Sequence, residues 1–481
     1  MQTDFSPARL SDPEIATCNE ILRKCVHCGL CTATCPTYVL GGDELDSPRG
    51  RIYLIKEMLE KERKADAKTV LHIDRCLSCL SCMTTCPSGV HYMHLIDYAR
   101  TLIHNTYRRP LGDRLLRAIL ATVLPRPRLF RMALRGARIA APLAALLPEA
   151  LLPIRIKGLL AMTPDVLPPL SPVDKPQVHR ASSGGMKAGA SGQGAAIKPG
   201  RRRHLRVALL NGCAQKVLDP KINEATIRLL NRHGVDVVVA EGAGCCGALT
   251  HHMGQHGAAL GAAARNINAW CDEMHQDGLD YVVINTSGCG STVKDYGFMF
   301  RNDARLAQQA AKISSITRDI TEFMQEIGLN VTTPLPKLKI AYHSACSLQH
   351  GQKISTAPVD LLTQAGFDVL PVPESHLCCG SAGTYNLLQP KIASRLRTRK
   401  ARNIEASGAQ AVAAGNLGCM VQISGGTRLP VIHTVELLDW ATGGPCPEDM
   451  ETLGTEFGKF TPGKSKQARL RPQDFISKPA A

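Results

Sequence analysis

The sequence has few aromatic residues and no long apolar run that is free of breaks. Phe, Trp and Tyr make up 4% of the 481 residues, too few for the stacking platforms that bind bases. The longest uncharged runs, 242–264 and 406–427, contain several glycines and polar residues and therefore argue against a membrane span. The N-terminus lacks the basic start and apolar stretch of a secretory signal.

The chain is nevertheless rich in cysteine and in positive charge. Nineteen cysteines without an export signal indicate a reducing compartment, the cytoplasm, where thiolates bind metals rather than form disulfides. The formal net charge of +16 fits nucleic acid, an anionic membrane surface or an acidic partner. The sequence contains no recognisable nucleic-acid-binding motif, so nucleic acid is the least expected of these three partners.

The strongest motif occurs twice near the N-terminus. The chain reads Cys25-Val-His-Cys28-Gly-Leu-Cys31-Thr-Ala-Thr-Cys35-Pro36, and later Cys76-Leu-Ser-Cys79-Leu-Ser-Cys82-Met-Thr-Thr-Cys86-Pro87. Both are the C-x2-C-x2-C-x3-C-P run of two-cluster ferredoxins, whose fourth cysteine binds the other cluster. We therefore expect two [4Fe-4S] clusters with crossed ligand sets. Cluster 1 is assigned to Cys25, Cys28, Cys31 and Cys86, and cluster 2 to Cys76, Cys79, Cys82 and Cys35. A zinc site would need two separate pairs of cysteines, which this spacing does not provide. A disulfide framework is typical of short secreted proteins, and this chain is long and has no export signal.

Composition divides the rest of the chain. We expect a ferredoxin-like domain at 1–106, a basic amphipathic helical segment at 107–163, a disordered linker at 164–204, two α/β units at 205–330 and 331–445, and a tail at 446–481. The linker is expected because it is rich in Pro, Gly and Ser. The basic segment fits either packing against a neighbouring domain or lying on anionic lipid. The turn that holds Asp43, Glu44, Asp46, Arg49 and Arg51 is read as solvated or ion-paired, with a docking surface as the alternative.

From Arg206 onwards, strands alternate with helices, which predicts parallel sheets with helices on their faces. Each half repeats one cysteine pattern, in which thirty-one residues separate a single cysteine from a Cys-Cys-Gly. The sets are Cys213, Cys245, Cys246 and Cys289 in the first half, and Cys346, Cys378, Cys379 and Cys419 in the second. All follow predicted strands, so each set should meet at the carboxyl edge of its sheet.

The two sets allow either a third metal centre in one unit or a vestigial site of protonated thiols. Free buried thiols are the simpler alternative. His343 precedes Cys346 by three residues, where the first half has Leu210, so His343 is not expected as a ligand common to both units.

The runs 23–38, 42–56 and 82–90 resemble the iron-sulfur subunit of bacterial glycolate oxidase. The resemblance implies a helical two-cluster domain fused to two cysteine-rich CCG units, which also occur in heterodisulfide reductase subunits. In heterodisulfide reductase subunits, each CCG motif ends with a Cys-x-x-Cys pair. In this chain the second cysteine of that pair is replaced by Thr292 in the first unit and by Gln422 in the second.

The resemblance also implies the role of this chain. It would accept electrons from a flavoprotein subunit that carries FAD and oxidises glycolate to glyoxylate. Apart from the resemblance, we expect an acceptor such as quinone, and the basic segment suggests peripheral contact with the cytoplasmic face of the inner membrane. No dinucleotide fingerprint is present here, and no catalytic residue is assigned. Alternatives are a D-lactate or glycerol-3-phosphate dehydrogenase subunit, thiol redox chemistry at the CCG units, and a cluster-bearing scaffold or sensor.

Overall fold

The computed structural model describes residues 1–145, 163–164, 166–182 and 204–450. Within them, a helical N-terminal region precedes two α/β units, as expected. The predictions for 146–162 of the basic segment, for 165 and 183–203 of the linker and for 451–481 of the tail lie outside the described residues.

The N-terminal region is built from short helices around one core. They are α1 Pro7–Leu10, α2 Pro13–Lys24, α3 Pro36–Gly41, α4 Pro48–Glu60, α5 Ala67–Asp74, α6 Ser81–Thr85, α7 Tyr92–Thr106, α8 Leu111–Val123 and α9 Pro127–Ala145. Asp12 and Ser47 cap α2 and α4, and each is followed by proline at the first helical position. Ile15, Ile55 and Ile96 are fully buried where α2, α4 and α7 meet. This core holds the two cysteine loops in place.

The first unit contains a five-stranded sheet. Its strands are β1 Gln177–His179, β2 Leu205–Leu209, β3 Val235–Val239, β4 Tyr281–Ile284 and β5 Thr317–Asp319. Its helices are α10 Gln215–Leu218, α11 Lys221–Arg232, α12 Ala248–His252, α13 His256–Gln276, α14 Ser287–Lys294, α15 Tyr296–Met299, α16 Ala307–Ile316 and α17 Ile320–Ile327. The strand order is β1-β3-β2-β4-β5, with every pair parallel except β1–β3.

The second unit repeats the four parallel strands of the first. Its strands are β6 Lys339–His343, β7 Asp368–Leu370, β8 Ala411–Ala414 and β9 Val431–His433, in the order β7-β6-β8-β9. Its helices are α18 Ala357–Gln364, α19 Tyr385–Leu388, α20 Pro390–Ala406, α21 Leu417–Ser424 and α22 Thr434–Ala441. The order β3-β2-β4-β5 therefore recurs, as a duplication requires.

The prediction of disorder across 164–204 is wrong for residues 166–182. Val178 pairs with Val238, so β1 adds an antiparallel edge to the first sheet. Ser171 Oγ donates to Glu224 at 2.5 Å, and Asn223 Nδ2 donates to Asp174 at 2.7 Å, which fastens this stretch to α11. Prolines that precede an edge strand do not prevent it from hydrogen-bonding to the sheet. The Pro-, Gly- and Ser-rich composition of the segment therefore did not reveal β1. The first unit therefore begins before residue 205.

The two units share one apolar core and two ion pairs to one buried carboxylate. Arg228 and Arg232 of α11 both bond the carboxylate of Asp439 on α22, which is 1% exposed. Both units also touch the N-terminal region. Asp97 of α7 pairs with His251 of the first unit at 3.2 Å, and Tyr385 of the second unit donates to the carbonyl of Arg75 at 3.0 Å. The three parts consequently form one assembly around the cysteine loops.

Helices α8 and α9 have one buried face and one exposed face. Leu120, Phe130 and Leu134 pack against the two α/β units, so the packing interpretation holds for this face. On the other face Leu111 is 81% exposed and Ile139 is 74% exposed. The lipid interpretation stays a prediction for this exposed face.

Candidate metal centres

The first cysteine loop curls around an open cavity of about 440 Å³. Four sulfur-bearing residues of the predicted cluster 1 line it: Cys25, Cys28, Cys31 and Cys86. The loop turns sharply because His27 and Gly29 take φ values of +57° and +85°. A positive φ is costly for a residue other than glycine, and such strain is typical of functional sites.

The second loop repeats this conformation around a second cavity. Ser78 and Leu80, at the positions matching His27 and Gly29, have φ values of +49° and +62°. This cavity, of about 310 Å³, is lined by Cys35, Cys76, Cys79 and Cys82. Each cavity thus receives three cysteines of one motif and the fourth cysteine of the other, and Cys82 lines the first cavity as well. This is the arrangement that the crossed sets require, and cluster ligation itself stays a prediction.

Four cysteines around each cavity provide the donor set that an iron-sulfur cluster requires. Burial raises the pKa of Cys31 to about 11, and burial raises the pKa values of Cys79 and Cys82 well above the ordinary range. Without a metal these sulfurs would stay protonated at neutral pH. A cation that displaces the protons would compensate for gathering four thiolates, which is the chemistry of a cluster site.

Two buried side chains that the sequence reading missed reach the sulfurs of the second cavity. Arg51 Nη1 donates to Cys35 Sγ at 3.8 Å, and Tyr92 Oη donates to Cys76 Sγ at 3.8 Å. The turn was expected to be solvated or ion-paired, and Arg51, which is 1% exposed, is ion-paired with Asp46. The available signal was spacing, because Arg51 lies four residues before Ile55 on the apolar face of α4.

The CCG cysteines meet at the carboxyl edges of the sheets. In the first unit Cys245 hydrogen-bonds with Cys213 and Cys246, and these bonds lower its pKa. In the second unit Cys346 Sγ lies 3.8 Å from Cys378 Sγ. The remaining neighbours in each set also interact, Cys246 with Cys289 and Cys379 with Cys419. The structure thus gathers both predicted sets, and their binding of metal stays a prediction.

His343, which was not expected as a ligand common to both units, lies beside the second set. Its ring nitrogen and the sulfurs of Cys379 and Cys419 all lie within 4.8 Å of one another. Burial lowers the pKa of His343 to about 3, with a further contribution from Lys400, so the imidazole is neutral at physiological pH. A neutral imidazole is a competent metal ligand.

The second unit abuts the second cavity directly. Cys79 and Leu77 of the ferredoxin loop pack in one apolar cluster with Cys378 and Tyr385. The three cysteines without a motif, Cys18, Cys271 and Cys446, join none of these sites. Cys18 packs in the N-terminal core, and burial raises its pKa to about 12.

Comparison with known proteins agrees with this organisation. The glycolate oxidase iron-sulfur subunit of Escherichia coli is 39% identical over 441 residues, which cover 92% of this chain and 99% of that protein. The chain belongs to the glycolate oxidase iron-sulfur subunit family. A probable member from Bacillus subtilis is 28% identical over 88% of this chain and 94% of that protein. Lactate utilization protein A of Shouchella clausii is 28% identical over 49% of this chain and 99% of its own length.

Family models match the same regions that the cysteines mark. A 4Fe-4S dicluster domain matches residues 24–90, and a cysteine-rich domain, CCG, matches 207–294 and 340–424. As a member of the glycolate oxidase iron-sulfur subunit family, the chain is an iron-sulfur, electron-transferring component of an oxidoreductase complex. Among the described residues, none of the helices combines the length and apolarity needed to cross a bilayer.

Proposed function

We propose that this chain carries electrons from a flavoprotein partner, which holds FAD and oxidises glycolate to glyoxylate, through two [4Fe-4S] clusters to an acceptor such as quinone. The observation that supports it most is the position of Cys82, which lines both cavities. Clusters held in adjacent cavities with a shared wall are close enough to exchange electrons, which a conduit needs. The eight ferredoxin-type cysteines would be their ligands, in the crossed sets given above.

Electrons enter at cluster 1 in this proposal. Cys28 is exposed, whereas Cys76, Cys79 and Cys82 around the second cavity are buried. Exposed apolar side chains surround the Cys28 loop, with Val26 67% and Leu30 56% exposed. An exposed apolar rim at a redox centre is suited to docking the flavoprotein, because the dock would bring the flavin close to cluster 1.

Electrons leave towards the membrane. The outer face of α8 and α9 carries Leu111, Leu115, Ile119, Met132 and Ile139 as exposed apolar side chains. Arginines at 114, 128, 135 and 138 add positive charge to the same two helices, and Arg108 lies just before α8. An apolar face with basic residues around it suits an anionic bilayer surface, where a quinone acceptor dissolves. The complex would therefore sit peripherally on the cytoplasmic side.

The proposal is tested by purifying the chain with its flavoprotein partner under anaerobic conditions. Glycolate should reduce the clusters in the complex and leave them oxidised when this chain is alone. Leu30→Glu should abolish co-purification and glycolate-driven reduction while dithionite still reduces both clusters. Leu71→Glu, at another exposed leucine of the same domain, is the matched control. A panel of 2-hydroxy acids in the same assay identifies the substrate, and reduction by D-lactate but not glycolate would overturn the glycolate assignment.

A further inference from the structure

We propose that Tyr92 gives electron transfer between the two ferredoxin-type clusters its direction, because its ring forms part of the wall between their cavities and its hydroxyl stabilises added charge on cluster 2 alone. The inference rests on the proposed function, since it assumes the two-cluster conduit and the crossed ligand sets. Tyr92 acts through the ligand Cys76 and is therefore a positioning residue rather than a catalytic one.

Tyr92 lies between the two cavities. Three residues line both of them, namely Pro48, Cys82 and Tyr92. Proline has no hydrogen to donate, and Cys82 is itself assigned as a cluster ligand. Tyr92 is the first residue of α7 and is 3% exposed, packed into the core of the N-terminal region. Of the three, only Tyr92 therefore has a polar group that is free to donate to a ligand.

The hydroxyl of Tyr92 serves one cavity only. Its Oη donates to Cys76 Sγ at 3.8 Å, and Cys76 lines the second cavity but not the first. Burial raises the pKa of Tyr92 well above its ordinary range, so the hydroxyl keeps its proton and remains a donor at physiological pH. The ring is thus common to both cavities, whereas the hydrogen bond distinguishes them.

Other side chains share this asymmetry. Among the described residues, the side chains that hydrogen-bond the eight ferredoxin-type sulfurs all reach the second set: Thr37, Arg51 and Tyr92. The first set receives no such bond. Hydrogen bonds to the sulfurs favour the reduced, more negative cluster. The structure therefore favours the electron on cluster 2.

Burial makes these donors necessary at the second cavity. Cys76, Cys79 and Cys82 are buried, whereas Cys28 is exposed to solvent. A site without water penalises added negative charge unless protein groups compensate for it, and a hydrogen bond is stronger in such a site. Water can stabilise charge at the exposed rim of the first cavity. At the second cavity Tyr92 has to supply part of that stabilisation, and without it an electron that enters at cluster 1 would be passed on less readily.

The transfer itself needs no proton. One electron leaves cluster 1 and the same electron reaches cluster 2, so that one is oxidised and the other reduced. Tyr92 keeps its proton throughout, because only the strength of its hydrogen bond to Cys76 changes. The effect of Tyr92 is consequently a difference between two reduction potentials, which can be measured directly.

The test is an anaerobic redox titration of the full-length protein and of Tyr92→Phe, followed by electron paramagnetic resonance. Removing the hydroxyl should lower the equilibrium constant for moving an electron from cluster 1 to cluster 2 about two- to tenfold. At 59 mV per tenfold, this is a fall of roughly 20–60 mV in the potential of cluster 2, with cluster 1 unchanged. Cys35→Ser and Cys86→Ser, each expected to lose one cluster, assign the two signals.

Tyr98→Phe is the matched control. It makes the same substitution on the same helix, and Tyr98 packs against the same core without lining either cavity. Both potentials should stay as they are in the wild type. Unchanged potentials in Tyr92→Phe, a shift confined to cluster 1, or an equal shift in Tyr98→Phe would overturn the proposal.

A second measurement covers the case in which Tyr92→Phe fails to fold. Uniform incorporation of 3-fluorotyrosine keeps the shape of the ring and makes its hydroxyl a stronger donor, so the potential of cluster 2 should rise while that of cluster 1 stays. Tyr296 and Tyr385 donate to carbonyl oxygens rather than to sulfurs, so they do not imitate this effect. Absence of a rise at cluster 2 would contradict the role of Tyr92.

The titration uses dithionite and redox dyes, and it requires neither glycolate nor the flavoprotein. A shift of cluster 2 in a protein that glycolate does not reduce within its complex would support the role of Tyr92 and overturn the proposed function. Unchanged potentials in a protein that glycolate does reduce would overturn the role of Tyr92 and leave the proposed function standing.

Discussion

The guanidinium of Arg51 donates a hydrogen bond to the sulfur of Cys35 across 3.8 Å. The same side chain donates to Thr37 at 3.0 Å and to the carbonyl of His72 at 2.7 Å, so it is held rigidly. A donor and a positive charge beside a cluster ligand favour the reduced, more negative cluster. Arg51 therefore sets the potential of cluster 2 if Cys35 is its ligand.

Arg51→Lys should lower the potential of cluster 2. Loss of a charge-assisted hydrogen bond is worth about 1.5–3 kcal/mol, or roughly 60–130 mV for one electron. An anaerobic redox titration followed by electron paramagnetic resonance measures it. Arg75→Lys is the control, since Arg75 also pairs with Asp46, at 2.8 Å, without touching a sulfur. A shift confined to cluster 1 would contradict this placement of Arg51.

The crossed ligand sets predict opposite outcomes for two matched substitutions. Cys35→Ser should damage the cluster held by Cys76, Cys79 and Cys82, because Cys35 lines their cavity. Cys86→Ser should damage the other cluster, whose cavity it lines. Spectroscopy of the reduced proteins distinguishes the two clusters. If Cys35→Ser instead loses the cluster held by Cys25, Cys28 and Cys31, the crossed assignment of ligands is wrong.

The exposed face of α8 and α9 should bind anionic vesicles and release them at high salt. Attraction between surface charges is screened over about 8 Å at physiological ionic strength. Leu115→Glu should weaken vesicle binding about tenfold or more, because burying one leucine contributes roughly 1.5–3 kcal/mol. Leu71→Glu, on α5, should leave binding unchanged. Co-sedimentation measures this, and salt-insensitive binding or none at all would contradict the lipid interpretation.

The Asp97–His251 pair should make the stability of the domain interface depend on pH. Burial opposes both charges, yet the charge of Asp97 raises the pKa of His251, and the charge of His251 lowers that of Asp97. The His251 contribution is complete below its ordinary pKa of 6.5 and is lost as the pH rises through the raised value. The Asp97 contribution is present above its ordinary pKa of 3.8 and is lost as the pH falls through the lowered value.

Asp97→Asn should consequently cost more stability at pH 6 than at pH 9. We expect about 1–3 kcal/mol at pH 6, because a buried charge-assisted hydrogen bond is lost. Thermal unfolding under anaerobic conditions gives the comparison.

His252, Arg100, His256 and Asp295 also face the pair and contribute to its titration. Asp277→Asn removes a carboxylate that is 71% exposed and should show no such dependence. An equal loss at both pH values for Asp97→Asn would exclude the pair as the cause.

Deleting residues 183–199 should leave the iron content unchanged. Their Gly- and Ser-rich composition cannot form a hydrophobic core. The end of β1 and the start of β2 also lie at the same end of β3, because His179 pairs with Val237 and Leu205 pairs with Val235. The five residues 200–204 that remain before Leu205 are enough to connect β1 to β2 across β3. Deleting 171–179 instead should destabilise the first unit, because it removes β1. Loss of iron in the first deletion would show a structural role for this segment.

The elements predicted best are those whose signal lies within a short window. The cysteine loops and the strand–helix alternation follow from spacing and periodicity, so their positions were predictable from the sequence. The three-residue strand β1 was missed because such a short strand depends on its neighbours for stability. The positions of Arg51 and His343 beside cysteine sulfurs were not predicted for a related reason. Their roles depend on sulfurs that only the folded chain brings near.

The duplication of the α/β unit places both copies in a single polypeptide. In a symmetric dimer, one gene encodes both copies, so every substitution would appear twice. Here Leu210 and His343 occupy equivalent positions and yet differ. Because the two copies are parts of one chain, each position can differ between them, and only the second unit has an imidazole beside its thiols.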